Sequence, residues 1–80
     1  MGVRFQPVGL LKSYCRDLMD PDGSIPLAGR EGDTLEVVCR DLGLPVKMIS
    51  LFLVNGLPQN RTYCLRAGDL VKCVALIGGG

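Results

Sequence analysis

The residues best suited to chemistry are three consecutive glycines, Gly78, Gly79 and Gly80, with which the sequence ends. A terminal carboxylate is a poor electrophile, so it must be activated before a nucleophile can attack it. Glycine has no Cβ, and the backbone can therefore approach closely within a narrow channel. Three extended residues reach about 10 Å beyond the preceding element. Such a tail is suited to carrying the terminal carboxylate of Gly80 into a confined site.

The four cysteines are weaker candidates for a functional site than the glycine tail. Cys15, Cys39, Cys64 and Cys73 include no CxxC pair, and the chain contains no histidine. A zinc site would have to gather all four thiolates from separate places. Disulfides need an oxidising compartment, and catalytic thiols usually need a histidine or a helix N-terminus to lower their pKa. We expect Cys39 and Cys73 to be small buried hydrophobic residues, and nothing specific favours a disulfide or thioester at Cys64.

Length and composition restrict the possible functions. Eighty residues make one domain, and folding at this size buries only about 60% of the surface of the unfolded chain. Hydrophobic residues make up 48% of the chain and aromatic residues 5%, so the core must be mostly aliphatic, with little room for a deep pocket. This favours a carrier or a binding module over an enzyme.

Charge and hydropathy argue against two kinds of partner. Nine basic and eight acidic residues give a net charge of +1, without the basic stripe typical of nucleic-acid-binding proteins. No apolar run approaches the roughly 18 residues that span a bilayer, and the N-terminus does not resemble a signal peptide. We expect a cytoplasmic protein that binds neither nucleic acid nor membrane. Arg61, Arg66 and Lys72 are interpreted as solvated charges, since nothing in the sequence supports steering towards an acidic partner.

The first part of the chain predicts two strands joined by a long, mobile connection. Val3–Gln6 is typical of a short strand stopped by Pro7, because proline cannot donate to a ladder. Asp20–Gly23 predicts a turn, and Ser24–Ala28 suits a second strand. Between them, Gly9–Tyr14 fits either a helical turn or extended chain.

One amphipathic helix is predicted over residues 34–43. Asp33 and Glu36 form a variant of the capping box, with Thr34 as a competing N-cap. Gly43 suits the position after the last helical residue. The apolar stripe between these ends has helical spacing and consists of Leu35, Val38, Cys39 and Leu42.

The remaining chain predicts further strands. Met48–Val54 is a nearly continuous apolar run, which favours a strand buried on both faces. Asn55-Gly56 marks a tight turn, Arg61–Cys64 is a candidate for a short strand, and Leu70–Ile77 is the last strand. A single helix covers only one face of such a sheet. The predicted class is therefore a two-layer α+β domain with a mixed sheet of four to five strands.

Several of these segments together resemble the MoaD/ThiS family of sulfur carriers. The resemblance lies in the helix ends, the turns and the tail: Gly32-Asp33-Thr34, Leu42-Gly43, Val54-Asn55-Gly56, Leu65, Gly68-Asp69-Leu70-Val71 and the terminal Gly-Gly. It implies a ubiquitin-like β-grasp fold, with a domain over residues 1–77 and a flexible glycine tail over residues 78–80. Ala67, Ala75 and Leu76 depart from the usual residues of the family and leave its branch open.

The resemblance also implies a role for Gly80. In the family, an adenylyltransferase of the MoeB/ThiF type uses ATP and magnesium to adenylate the C-terminal carboxylate. A sulfur donor then displaces AMP and leaves a thiocarboxylate. The sulfur passes to a synthase, either the large subunit of molybdopterin synthase or thiazole synthase. The carrier provides no catalytic side chain, cofactor or metal site, so we expect a protein that is not an enzyme.

Within this resemblance, several functions stay open. The length and the extended N-terminal hairpin region favour a MoaD-like role in molybdopterin synthesis over a ThiS-like role in thiazole synthesis, whereas the tail of three glycines favours the ThiS type. A ubiquitin-like modifier would instead join Gly80 to a lysine. In a plain β-grasp interaction domain the tail would be incidental.

Partner binding is predicted on the sheet face beside the tail. Ordering the tail costs roughly 1–2 kcal/mol per residue, so the affinity must come from elsewhere on the domain. Val74 and Leu76, on the face opposite Val71, are with Ile77 the predicted partner-binding residues, and each buried Val or Leu contributes about 1.5–3 kcal/mol. In the alternative interpretation, the connection over residues 12–23 covers Val74 and Leu76.

Overall fold

The chain forms a mixed β-sheet and one α-helix, described over residues 2–75 of a computed structural model. The elements follow the predicted order of strands and helix. They are β1 (Val3–Pro7), β2 (Ile25–Leu27), α1 (Leu35–Asp41), β3 (Ile49–Val54), β4 (Leu57–Gln59) and β5 (Leu70–Ala75), with 3₁₀ helices at Gly9–Tyr14, Arg16–Leu18 and Val46–Met48. The predicted continuation of the last strand to Ile77 lies outside the described residues.

The five strands form one sheet in the order β2-β1-β5-β3-β4. β5 pairs in parallel with β1 and antiparallel with β3, and each of these neighbours forms an antiparallel pair with an outer strand. The mixed sheet with one α-helix confirms the predicted α+β class. β5 is the central strand and joins the β1–β2 pair to the β3–β4 pair.

One face of the sheet is covered by α1 and by the connection between β1 and β2. Gly9–Tyr14, which the sequence left open, is a 3₁₀ helix whose Leu11 is buried. Side chains alternate along the strands, so that one face of β1 and β5 contributes to the core. The core is mostly aliphatic, as predicted, and consists of Val3, Phe5, Leu11, Cys15, Ile25, Leu27, Leu35, Val38, Cys39, Leu44, Phe52, Val54, Leu65, Val71 and Cys73.

Thr34 is the N-cap of α1, and the prediction of an Asp33–Glu36 capping box is wrong. The Thr34 hydroxyl accepts a hydrogen bond from the Val37 amide at 3.3 Å. The Asp33 carboxylate instead accepts a hydrogen bond from Arg30 Nε at 2.6 Å. The helix is seven residues long, and no helix among residues 2–75 is long and apolar enough to cross a membrane.

A Schellman motif ends α1 at the predicted glycine. Gly43 has φ 81°, and its amide donates to the Arg40 carbonyl at 3.1 Å. The Leu44 amide donates to the Cys39 carbonyl at 2.9 Å, and both of these side chains belong to the core. These two hydrogen bonds satisfy carbonyls that the helix end would otherwise leave unpaired.

Two predictions in the second half of the chain are corrected. β3 is not buried on both faces, because Leu51 is 39% exposed on the face that no helix covers. The fourth strand is Leu57–Gln59, directly after the turn, whereas within Arg61–Cys64 only Cys64 forms an isolated bridge, with Thr34. Asn55 and Gly56 have φ 53° and 84°, as a two-residue hairpin turn requires. β4 therefore begins directly after the turn and pairs with β3.

The Schellman motif at the end of α1 can be tested by replacing Gly43. Gly43→Ala should destabilise the fold by about 1 kcal/mol, because a Cβ is strained at positive φ even though the space around it is open. Gly43→Asn should cost less, since asparagine tolerates this conformation. Urea denaturation measures the change. Gly2→Ala is the control, since Gly2 has open space and no positive φ. Equal effects of the two alanine variants would contradict the conclusion that the positive φ of Gly43 requires glycine.

Candidate functional site

The predicted reacting group and most of the predicted binding residues follow directly after the central strand. Gly78, Gly79, Gly80, Leu76 and Ile77 lie outside the described residues, and Val74 lies in β5. Ala75, the last residue of β5, pairs with Ile49 at the start of β3. The last described residue of β5 therefore lies beside the first residue of β3.

Val74 lies on the open face of the sheet, opposite the helix. In β5, Val71 and Cys73 are buried in the core, and Val74 belongs to the alternate set of side chains. Its neighbour across the sheet is Leu51 of β3, and Leu53 is the next residue of β3 on this face. Val74, Leu51 and Leu53 thus form an apolar group, which we call the open-face patch.

The connection between β1 and β2 does not cover this patch. Its residues Leu11 and Cys15 lie in the core together with Cys39 of α1 and Cys73 of β5. Cys39 is on the helix, so this part of the connection packs on the helix side of the sheet, while the later residues Asp20 and Ser24 bond to Arg4 of β1. Val74 is half-buried and is not among the buried core residues. The alternative interpretation, in which this segment buries Val74, is therefore wrong for that residue.

Three of the four cysteines are buried and all four are free thiols. Cys39 and Cys73 are fully buried, as predicted. Burial, with a smaller effect of Cys15, raises the pKa of Cys39 to about 12, and burial likewise raises the pKa values of Cys15 and Cys73. These thiols are therefore protonated at neutral pH and act as apolar side chains. Among residues 2–75 no group of three or more His, Cys, Asp or Glu side chains is arranged to hold a metal ion.

A buried carboxylate fixes the turn from which β5 starts. Asp69 is 5% exposed, and its carboxylate accepts hydrogen bonds from Asn55 Nδ2 at 2.9 Å, the Tyr63 hydroxyl at 2.8 Å and the Arg66 amide at 2.9 Å. The Leu70 amide donates to Asn55 Oδ1 at 3.0 Å, and the Asn55 amide donates to the Leu70 carbonyl at 2.9 Å. The network ties the β3–β4 turn to the start of β5.

Sequence reasoning missed this network. Asn55-Gly56 and Gly68-Asp69 were interpreted only as turns, and a turn needs no contact between them. The available signal was an asparagine and an aspartate at the ends of two adjacent apolar strands. That signal becomes specific only when the antiparallel register of β3 and β5 is known, with Val54 opposite Val71.

Protonation of Asp69 should weaken the fold. Desolvation by burial raises the pKa of Asp69, but hydrogen bonds from Arg66, Tyr63 and Asn55 outweigh it and hold that pKa below its ordinary value. A lowered pKa in the folded state means that the carboxylate stabilises the fold above the unfolded-state pKa of about 3.9. This stabilisation is lost as the pH falls through the lower pKa of the folded state.

Asp69→Asn should therefore lower the free energy of unfolding by about 1–3 kcal/mol at pH 7, because the amide cannot accept all three hydrogen bonds. The difference from the wild type should shrink as the pH approaches 2. Urea denaturation at several pH values measures both effects. Asp17→Asn, at an exposed carboxylate, should change stability by less than about 0.5 kcal/mol. A difference at Asp69 that stays constant with pH would contradict the assignment.

Comparison with known proteins shows the fold. No protein-family model and no curated protein sequence matches the chain. Among solved structures, the solution structure of Urm1 from Trypanosoma brucei is similar, with a TM-score of 0.64 and 21% identity. The match covers 99% of this chain and 95% of that chain. The five-stranded mixed sheet with its helix is a ubiquitin-like β-grasp fold.

Proposed function

We propose that this protein is a sulfur carrier and not an enzyme, and that its working group is the C-terminal carboxylate of Gly80. The observation that carries the proposal is the course of β5. This strand is the centre of the sheet, and the chain passes from its last described residue, Ala75, into a sequence that ends in Gly78, Gly79 and Gly80. A rigid strand thus precedes three glycines, which fit a narrow catalytic channel.

The proposed chemistry takes place on a partner enzyme. A carboxylate oxygen of Gly80 attacks the α-phosphorus of ATP, and pyrophosphate leaves. A sulfur donor at the oxidation level of hydrosulfide attacks the carbonyl carbon of the acyl adenylate. The carbon–sulfur bond forms, the bond from carbon to the phosphate oxygen breaks, and AMP leaves with the electron pair. The product is a thiocarboxylate, and the carrier contributes no catalytic side chain, cofactor or metal.

The finer assignments are part of the same proposal. The activating partner is an ATP- and magnesium-dependent adenylyltransferase of the MoeB/ThiF type, and the acceptor is a sulfur-accepting synthase. We propose molybdopterin synthesis as the pathway, through the large subunit of molybdopterin synthase. Its support is the long connection between β1 and β2, whose Leu11 and Cys15 are part of the core. A ThiS-like role with thiazole synthase is the alternative, supported by the three-glycine tail.

The function is tested by the intact mass of the protein after incubation with ATP, magnesium, a sulfur donor and the activating enzyme of the source cell. We expect a gain in mass equal to the replacement of one oxygen by sulfur. Deletion of Gly79 and Gly80 should abolish it. An isopeptide bond between Gly80 and a lysine would instead indicate a ubiquitin-like modifier. No adduct, with an enzyme active on another carrier, would indicate an interaction domain with an incidental tail.

Docking of the activating enzyme on the open-face patch is tested separately. Val74→Asp or Leu51→Asp should raise the KM for the carrier in AMP formation roughly tenfold, since an apolar contact worth more than about 1 kcal/mol is lost. The matched control is Val37→Asp on α1, since Val37 is 38% exposed and Leu51 is 39% exposed. Thermal unfolding checks that each variant is folded. An equal increase in KM for the control would refute docking on this face.

A further inference from the structure

The charges of this chain are unevenly distributed. Residues 1–41 contain five basic and seven acidic side chains, whereas residues 42–80 contain four basic side chains and only Asp69 as an acid. Asp69 is buried and engaged in its hydrogen-bond network, so it presents little charge to solvent. The half of the protein that contains β3, β4 and β5 is therefore positive, although the whole chain has a net charge of only +1.

Two of these cations line an open cleft at the end of the sheet where β3 begins. The cleft lies between the 3₁₀ helix Val46–Met48, the start of β3 and the end of β4, and both Lys47 and Arg61 line it. The register of β3 against β5 shifts between Ile49 and Leu51, and Ile49 pairs with Ala75. Because Ile49 also lines the cleft, one strand separates the cleft from the last described residue of β5.

The cleft is also continuous with the open-face patch, because Leu51 belongs to both. The residues that line it include no acid and combine apolar side chains such as Val46 and Leu51 with the amides Gln59 and Asn60 and the cations Lys47 and Arg61. A ligand that fits these walls carries negative charge beside apolar groups.

Lys47 and Arg61 are exposed and form no ion pair within residues 2–75. Three other arginines do: Arg4 with Asp20 at 2.9 Å, Arg30 with Asp41 at 2.6 Å, and Arg40 with Glu36 at 3.6 Å. Glu36 approaches Arg61 only through the backbone, where its amide donates to the Arg61 carbonyl at 3.0 Å. The charges of Arg4, Arg30 and Arg40 are thus partly neutralised within the chain, whereas those of Lys47 and Arg61 remain available to a partner.

Addition of a partner strand at the edges of the sheet is disfavoured. The outer strands β2 and β4 are each three residues long, and each has a proline, Pro26 or Pro58, at its centre. Proline has no amide hydrogen, so neither edge can donate from its middle residue. The open face and the cleft beside it are therefore better suited to partner contact than either edge of the sheet.

We propose that the cleft binds an acidic segment of the activating enzyme, with Lys47 and Arg61 as the two residues that contact its carboxylates. This inference rests on the proposed function. The open-face patch supplies apolar contact, and the cations select and orient a partner whose rim carries aspartate or glutamate. Exposed charges of this kind act mainly on the rate and the salt dependence of association.

The test compares charge reversals in two places. Lys47→Glu/Arg61→Glu should raise the KM for the carrier in AMP formation by tenfold or more and leave kcat within about twofold. It should also abolish the rise in KM that added salt causes for the wild type. The matched control is Lys12→Glu/Arg16→Glu, which makes the same change in net charge at two exposed cations of the connection between β1 and β2. This control should raise KM by less than threefold.

Each outcome of this experiment either supports or overturns the proposed binding of an acidic segment at the cleft. Equal effects of the two double variants would show that only net charge counts and would overturn the inference, as would a KM of the wild type that is insensitive to salt. Self-association of the wild type through the cleft, detected by light scattering and lost in the Lys47/Arg61 variant, would overturn it by making the occupant a second copy.

If the wild type is not adenylated, the proposed function fails and this inference fails with it. Lys47→Gln/Arg61→Gln removes the charges but keeps long polar side chains, so it is less disruptive to folding than charge reversal. This variant should also raise the KM for the carrier.

Discussion

The fold depends on the pairing of β5 with both of its neighbours. β5 forms a parallel ladder with β1, from Arg4 opposite Leu70 to Pro7 opposite Cys73, and an antiparallel ladder with β3 on its other side. Without β5, the β1–β2 pair and the β3–β4 pair would share no hydrogen-bonded ladder. The strand that closes the structure is therefore also the one that leads to the tail. Ala75, the last described residue of β5, is still held in the antiparallel ladder by its pairing with Ile49.

A single short helix sets the second constraint. α1 has seven residues and, even with the connection that brings Leu11 and Cys15 into the core, it covers one face of a five-stranded sheet. Aliphatic side chains on the other face stay accessible, and they include Leu51. An apolar surface beside exposed cations is typical of a face that meets partners. Prolines at both edges leave this face, and not the edges, as the region suited to binding.

The sequence was informative wherever one residue type has one conformational reason to be present. Gly43 and Asn55-Gly56 were placed correctly because positive φ is required there. β4 was missed because Pro58 argues against a strand, and only its position at an edge makes the proline acceptable. The burial of Met48–Val54 was overestimated because an apolar run does not reveal whether a second layer exists. Leu76–Gly80, which include the predicted reacting group, lie outside the described residues, so that part of the site stays a prediction.

The energetics of docking follow from how little of the open-face patch remains to be buried. Val74 and Leu53 are already half-buried by their neighbours, so a partner gains only part of the roughly 1.5–3 kcal/mol that full burial of such side chains would give. Fixing a glycine tail in a channel opposes binding by roughly 1–2 kcal/mol per residue. The balance favours a weak complex with fast dissociation, and in the proposed docking Lys47 and Arg61 would accelerate its formation. Such a complex would suit the proposed carrier role, because a carrier must leave the enzyme that activates it and present the same chain end to a second protein.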